Sequence, residues 1–121
     1  MEQVDKEKIE KIQADRKKSH AYLYEKSPVY RTFVEMEQKT FVDGSLQRVN
    51  KELIAIGISI VSNCESCLEW HIKQALDAGA TNDQILEAIE VAFEMGIGPT
   101  TVASRFALKV LEYHLENPSK R

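Results

Sequence analysis

The chain has 121 residues, of which 43% are hydrophobic and 29% charged, with a formal net charge of −3. That length is one domain, able to bury roughly two thirds of its unfolded surface, and the composition is that of an ordinary globular protein. The acidic balance argues against a nucleic-acid binder, since nothing would neutralise a row of phosphates, and no apolar run is long enough to span a bilayer.

Residues 3–26 carry Val4, Ile9, Ile12, Tyr22 and Leu23 among interspersed charges of both signs. The period is helical but thin at the start, so residues 1–26 read as an amphipathic helix or extension whose first part projects from the body. The body is then a domain over 27–117. Ser27-Pro28 opens a helix, with Ser as cap and Pro at the first helical position, and the helix continues through Val29, Phe33, Val34 and Met36. Asp43-Gly44 is a turn signal. Leu46 to Ser62 is apolar on nearly all sides. A run of β-branched residues could be a buried strand, but nothing else in the chain alternates with period two to pair with it, so a buried central helix is expected. Ser62-Asn63 would end it and cap the next. Cys64 to Ala78 reads as a helix stopped by Gly79. Thr81 to Gln84 is a capping box before the next one. Gly96-Ile97-Gly98-Pro99 breaks the chain, and a last helix runs to Asn117-Pro118. The fold class is therefore all-α: a compact helical domain around an antiparallel central helix pair. So much apolar face on short helices also predicts association, with a mass several times that of the monomer.

No apolar stretch follows a charged start, so no signal peptide is expected and the chain reads as cytoplasmic. Glutathione and thioredoxin keep structural disulfides reduced there. Both cysteines of the protein, Cys64 and Cys67, stand in one Cys-x-x-Cys. That spacing points to redox chemistry or metal before it points to a staple. Glu52 lies ten residues before the hinge at Ser62 and His71 eight after Asn63. At ~1.5 Å rise per residue the two reach similar levels of an antiparallel pair. Cys67 and His71, at i and i+4, share a face, and helix side chains lean back toward the N-terminus. The order Glu52, His71, Cys67 gives an orienting acid, a base and a thiol. A thiol opening a helix is favoured as thiolate by unpaired N–H groups and the dipole. Such a thiolate attacks a peroxide to give a sulfenic acid, and a second thiol one turn away condenses with it to a disulfide.

Each residue also has a plainer reading. Two helical cysteines can be small core residues. A thioredoxin-like site needs a βαβ context, and haem attachment needs His where Leu68 stands. A zinc site on Cys64, Cys67 and His71 lacks a fourth ligand pair. His71 can be a satisfied core histidine and Glu52 a solvent-facing helix former. Ala55 and Ile56 on the same side, however, require a partner for the carboxylate. His20 and His114, in charged terminal surroundings, read as surface, and Trp70 and Phe93 as core.

Glu52 with Cys64-x-x-Cys67-x-x-x-His71, followed by Gln74-Ala75-Leu76-Asp77-Ala78-Gly79-Ala80, Ile85 to Met95 and Gly96-Ile97-Gly98-Pro99, resembles the alkylhydroperoxidase D–like branch of the carboxymuconolactone decarboxylase family. The resemblance covers roughly residues 27 to 115. It implies an all-α homo-oligomer, a trimer or hexamer, that reduces hydroperoxides through its Cys pair without a cofactor. It places the sulfenic acid on Cys67, the proton donor and resolving thiol on Cys64, and the proton relay on Glu52 and His71. It also implies a lipoyl- or thioredoxin-type dithiol protein as reductant. The family's best-known members carry a second His just before the peroxidatic Cys. This chain has Ser66 there, which could relay a proton only through hydrogen bonds. The alternative is a non-enzymatic redox-sensing or assembly module of the same fold.

Overall fold

The structure, a computed structural model, describes residues 1–120. Among them are six α-helices, one short 3₁₀ turn at Pro118–Lys120 and no strand. The helices are α1 Gln3–Lys26, α2 Pro28–Thr40, α3 Arg48–Val61, α4 Glu65–Asp77, α5 Asn82–Gly96 and α6 Gly98–Glu116. The expected all-α class and central helix pair are present: α3 packs against both α4 and α5, and α6 closes the bundle against all three.

Local chemistry sets the ends. Ser27 Oγ accepts the Tyr30 N–H at 3.0 Å, with Pro28 in the first turn of α2. At α5 the capping box is complete: Thr81 Oγ1 accepts the Gln84 N–H at 3.1 Å, and Gln84 Oε1 accepts the Thr81 N–H at 2.9 Å. The α5–α6 break turns at Ile97, whose φ of 55° is strained for a β-branched residue. Gly96 beside it is needed for space, since a Cβ there would stand 2.1 Å from Thr100 Cγ2.

The α3–α4 hinge corrects one expectation. Ser62-Asn63 ends α3, but the cap of α4 is Cys64, whose Sγ accepts the Cys67 N–H at 3.2 Å. Asn63, at φ 53°, supplies the left-handed residue that reverses the chain.

The body is held by one apolar core. Ile56 and Ile60 of α3, Leu68 and Ile72 of α4, Ile85 and Ile89 of α5 and Val110 of α6 are at most 1% exposed. Fully burying each such side chain contributes roughly 1.5–3 kcal/mol. α3 is buried on one face only, with Ile54, Ile58 and Val61 of the other face 52%, 63% and 53% exposed.

The N-terminal helix does not behave as its thin period predicts. Its first part docks on the body through the fully buried Ile9, a 2.8 Å pair of Asp5 with Lys109, a 2.9 Å pair of Lys8 with Glu65, and the Lys8 ammonium over the Phe106 ring at 4.7 Å. One buried isoleucine, with ion pairs and a cation over an aromatic ring, seats it. It is α2 that lies outermost: it packs mainly on α1 and buries no residue completely. Phe93 is 37% exposed and Trp70 half-buried, so neither takes the core place expected of it.

Candidate functional site: a paired-cysteine turn and two acid–imidazole pairs

Glu52 projects from α3 into the interior and is 1% exposed. Its Oε2 lies 2.9 Å from Nδ1 of His71 on α4, the contact that antiparallel levels require. A buried carboxylate is costly without such a partner. The bond occupies Nδ1 and leaves Nε2 of His71 on the other side of the ring. Phe41, in the α2–α3 loop, lies over the imidazole with ring centroids 5.1 Å apart. Lys51 pins that loop by donating Nζ to the carbonyls on either side of Phe41, Thr40 at 2.9 Å and Val42 at 2.8 Å. Thus residues 51 and 52 hold the loop and the ring at once.

Cys64 and Cys67 are joined as a disulfide, with Cα atoms 5.2 Å apart, and both are partly exposed. Cys64 is the N-cap of α4 and Cys67 the third residue inside it, so the pair sits at the positive end of the helix. Cys67 and His71 are one helical turn apart on α4. Among the described residues no group of three or more His, Cys, Asp or Glu is placed to hold a metal ion.

A second acid–imidazole pair, which the sequence reading missed, lies elsewhere on α4. Glu69 and His114 are both fully buried, with Glu69 Oε2 2.6 Å from His114 Nε2. His114 is therefore not the surface residue expected. The charges flanking it, Glu112 and Glu116, masked its place on the stripe of Ala107, Val110 and Leu111. Two residues of α1 complete the cluster: Gln13 Nε2 donates to Glu69 Oε2 at 3.0 Å, and Arg16 Nη2 donates to Glu69 Oε1. Burial pushes the Glu69 carboxyl up, but hydrogen bonds from His114, Gln13 and Arg16, with the Arg16 charge, override it and bring the pKa down to about 2. His114 Nδ1 is buried without a partner. A signal for α1 was present: Gln13 and Arg16 fall at i+4 and i+7 from Ile9, so the buried stripe continues in polar residues. His20 is exposed as expected, with Nδ1 2.8 Å from Tyr30 Oη.

Ser66, between the two cysteines, is exposed. Its Oγ accepts from Arg16 Nη1 at 3.3 Å and its carbonyl from the same nitrogen at 3.2 Å.

The arrangement is that of an all-α domain with an acid-held imidazole one turn from a helix-opening cysteine pair joined as a disulfide. Residues 27–110 match the model of the carboxymuconolactone decarboxylase family. The chain belongs to that family, and its similarity to alkyl hydroperoxide reductases supports the alkylhydroperoxidase D–like branch. It is 42% identical over 80 residues to the uncharacterized protein 4 in the cox locus of Paracoccus denitrificans, covering 66% of this chain and 72% of that one. It is 30% identical over 57 residues to the alkyl hydroperoxide reductase AhpD of Anaeromyxobacter sp. (strain K), 47% of this chain but only 31% of that one. Among solved structures it resembles the apo form of a carboxymuconolactone decarboxylase family protein from Legionella pneumophila. The TM-score is 0.82 with 29% sequence identity, over 87% of this chain and 95% of that one. α1 precedes the segment that the family model matches.

Proposed function

We propose that the chain is a thiol-dependent peroxidase of the alkylhydroperoxidase D–like type, cycling Cys67 and Cys64 between dithiol and disulfide. The observation that carries this reading is the 2.9 Å Glu52–His71 contact, one helical turn from a Cys-x-x-Cys whose sulfurs bond to each other. The Cys67 thiolate attacks the terminal oxygen of a hydroperoxide. The O–O bond breaks, the alcohol leaves with a proton from the Glu52–His71 side, and Cys67 becomes a sulfenic acid. The Cys64 sulfur then attacks Cys67 Sγ, the S–S bond forms and water departs. A Cys64–Cys67 disulfide is the product expected of that half-cycle. An external dithiol returns two electrons and two protons, and a lipoyl- or thioredoxin-type protein has the matching chemistry. A reducing compartment such as the cytoplasm suits the cycle. No described helix is long and apolar enough to cross a membrane.

The reading includes a homo-oligomer, a trimer or hexamer. A groove of about 730 Å³ between α3 and α5, lined by Leu53, Ile54, Ile58, Val61, Val91 and Met95, is apolar and open. α2 carries Val29, Phe33 and Met36 at 81%, 48% and 59% exposure. These two uncovered surfaces are of the kind that a second copy covers.

The experiment is peroxide consumption with dihydrolipoamide as electron donor. Turnover is expected in the wild type and none in Cys67→Ser; full turnover in that variant contradicts the role given to Cys67. A second reading, a redox-sensing assembly module without turnover, draws on Ser62, which lines the groove two residues before Cys64. It is distinguished by light scattering: a mass that differs between oxidised and reduced protein, in a chain that consumes no peroxide.

A further inference from the structure

Two side chains of α1 reach the cysteine turn from outside the matched segment: Lys8, which pairs with Glu65, and Arg16, which bonds Ser66. Arg16 Nη1 bonds the carbonyl and hydroxyl oxygens of Ser66 at 3.2 and 3.3 Å. Its Nη2 bonds Glu69, and the guanidinium carbon lies over the Trp70 ring, 5.1 Å from the centroid. All three contacts fall on the first two turns of α4. Glu69 is a fixed anchor, because Gln13 and His114 hold its other oxygen at 3.0 and 2.6 Å in a fully buried site. A planar fork bonded at one end to such an anchor and at the other to Ser66 restricts the turn that it spans.

We propose that Arg16 is a positioning residue for the Cys64–Cys67 pair: by tying Ser66 to buried Glu69 it holds the turn in the shape in which the two sulfurs meet, and so favours the disulfide over the dithiol. The proposal rests on the redox cycle above only in taking the pair as reversible. Two effects oppose each other. A cation near the turn favours thiolates and hence the reduced form. A fixed geometry favours ring closure by raising the effective concentration of one sulfur at the other. The Arg16 charge is neutralised in contact by Glu69, so its net field at the turn is weak and the geometric effect dominates. Glu65, the charged side chain between the two cysteines, is likewise paired, with Lys8 at 2.9 Å.

The test is the equilibrium of the purified full chain with a dithiothreitol redox buffer, read by alkylating free thiols and weighing the products. One protein disulfide and one dithiothreitol give one protein dithiol and one cyclic dithiothreitol disulfide. Arg16→Met is expected to shift this equilibrium toward the dithiol by about fivefold to tenfold, tenfold being about 30 mV for a two-electron couple. Gln13→Met removes the other α1 bond to the same carboxylate without touching the turn, and is expected to move the equilibrium less than about twofold. Arg16→Lys keeps the charge but not the fork, and is expected to shift it by about threefold in the same direction. An Arg16→Met protein of unchanged helicity with a wild-type equilibrium overturns the proposal, and so does an equal shift in Gln13→Met. If Arg16→Met loses helicity, Arg16→Lys decides, and a wild-type equilibrium in it overturns the proposal. This measurement needs no peroxide, so a chain that fails to turn over peroxide still answers it.

Discussion

The Glu52 carboxylate and the His71 imidazole meet at 2.9 Å across the α3–α4 pair, the acid fully enclosed and the ring partly open. The contact fixes the ring through Nδ1, while Phe41 covers one of its faces. A histidine held this way presents Nε2 in a set direction, which is what an orienting acid contributes to a base beside a thiol. In Glu52→Gln the bond can persist but the negative charge is gone. Under the peroxidase reading, kcat/KM for hydroperoxide is expected to fall at least about tenfold, within the range of acid–base assistance, while circular dichroism stays native. An unchanged kcat/KM would separate the pair from the chemistry.

Glu69 makes stability depend on acid pH. Its carboxyl has an ordinary value of 4.5 in the unfolded chain and about 2 in the fold. A depressed acid contributes stability that is present above the unfolded value and lost as pH falls toward the folded one. The window is therefore pH 4.5 down to 2. The loss across it is on the order of 3 kcal/mol, from about 1.4 kcal/mol per pKa unit. Urea midpoints measured at several pH values check this. Glu69→Gln is expected to flatten the curve in that window and to lower stability at neutral pH, because Arg16 and His114 lose their shared anion. A mutant with the wild-type slope would place the acid sensitivity elsewhere.

Under the oligomer reading, a second copy covers the α3–α5 groove. Ile58 lines the groove and is 63% exposed. Light scattering of the wild type is expected to give a mass several times 13.8 kDa. In Ile58→Lys, desolvating a charge against an apolar partner surface should release monomers of native helicity. A monomeric wild type would remove the oligomer from the proposed function.

By itself the sequence determined the helices, the caps of α2 and α5, though not that of α4, and the acid–imidazole contact beside the cysteines. Those features are local, or set by one short hinge: a helical rise of fixed length carries Glu52 and His71 to one level once α3 and α4 run antiparallel. Tertiary structure alone decided the second pair. Glu69 draws its partners from residues 45, 53 and 56 positions away, on α6 and α1. No spacing rule relates such distances, because how far one helix slides along another depends on side-chain packing over the whole interface. The same packing buried Ile9 of α1 against the body and brought Arg16 onto the turn that holds both sulfurs.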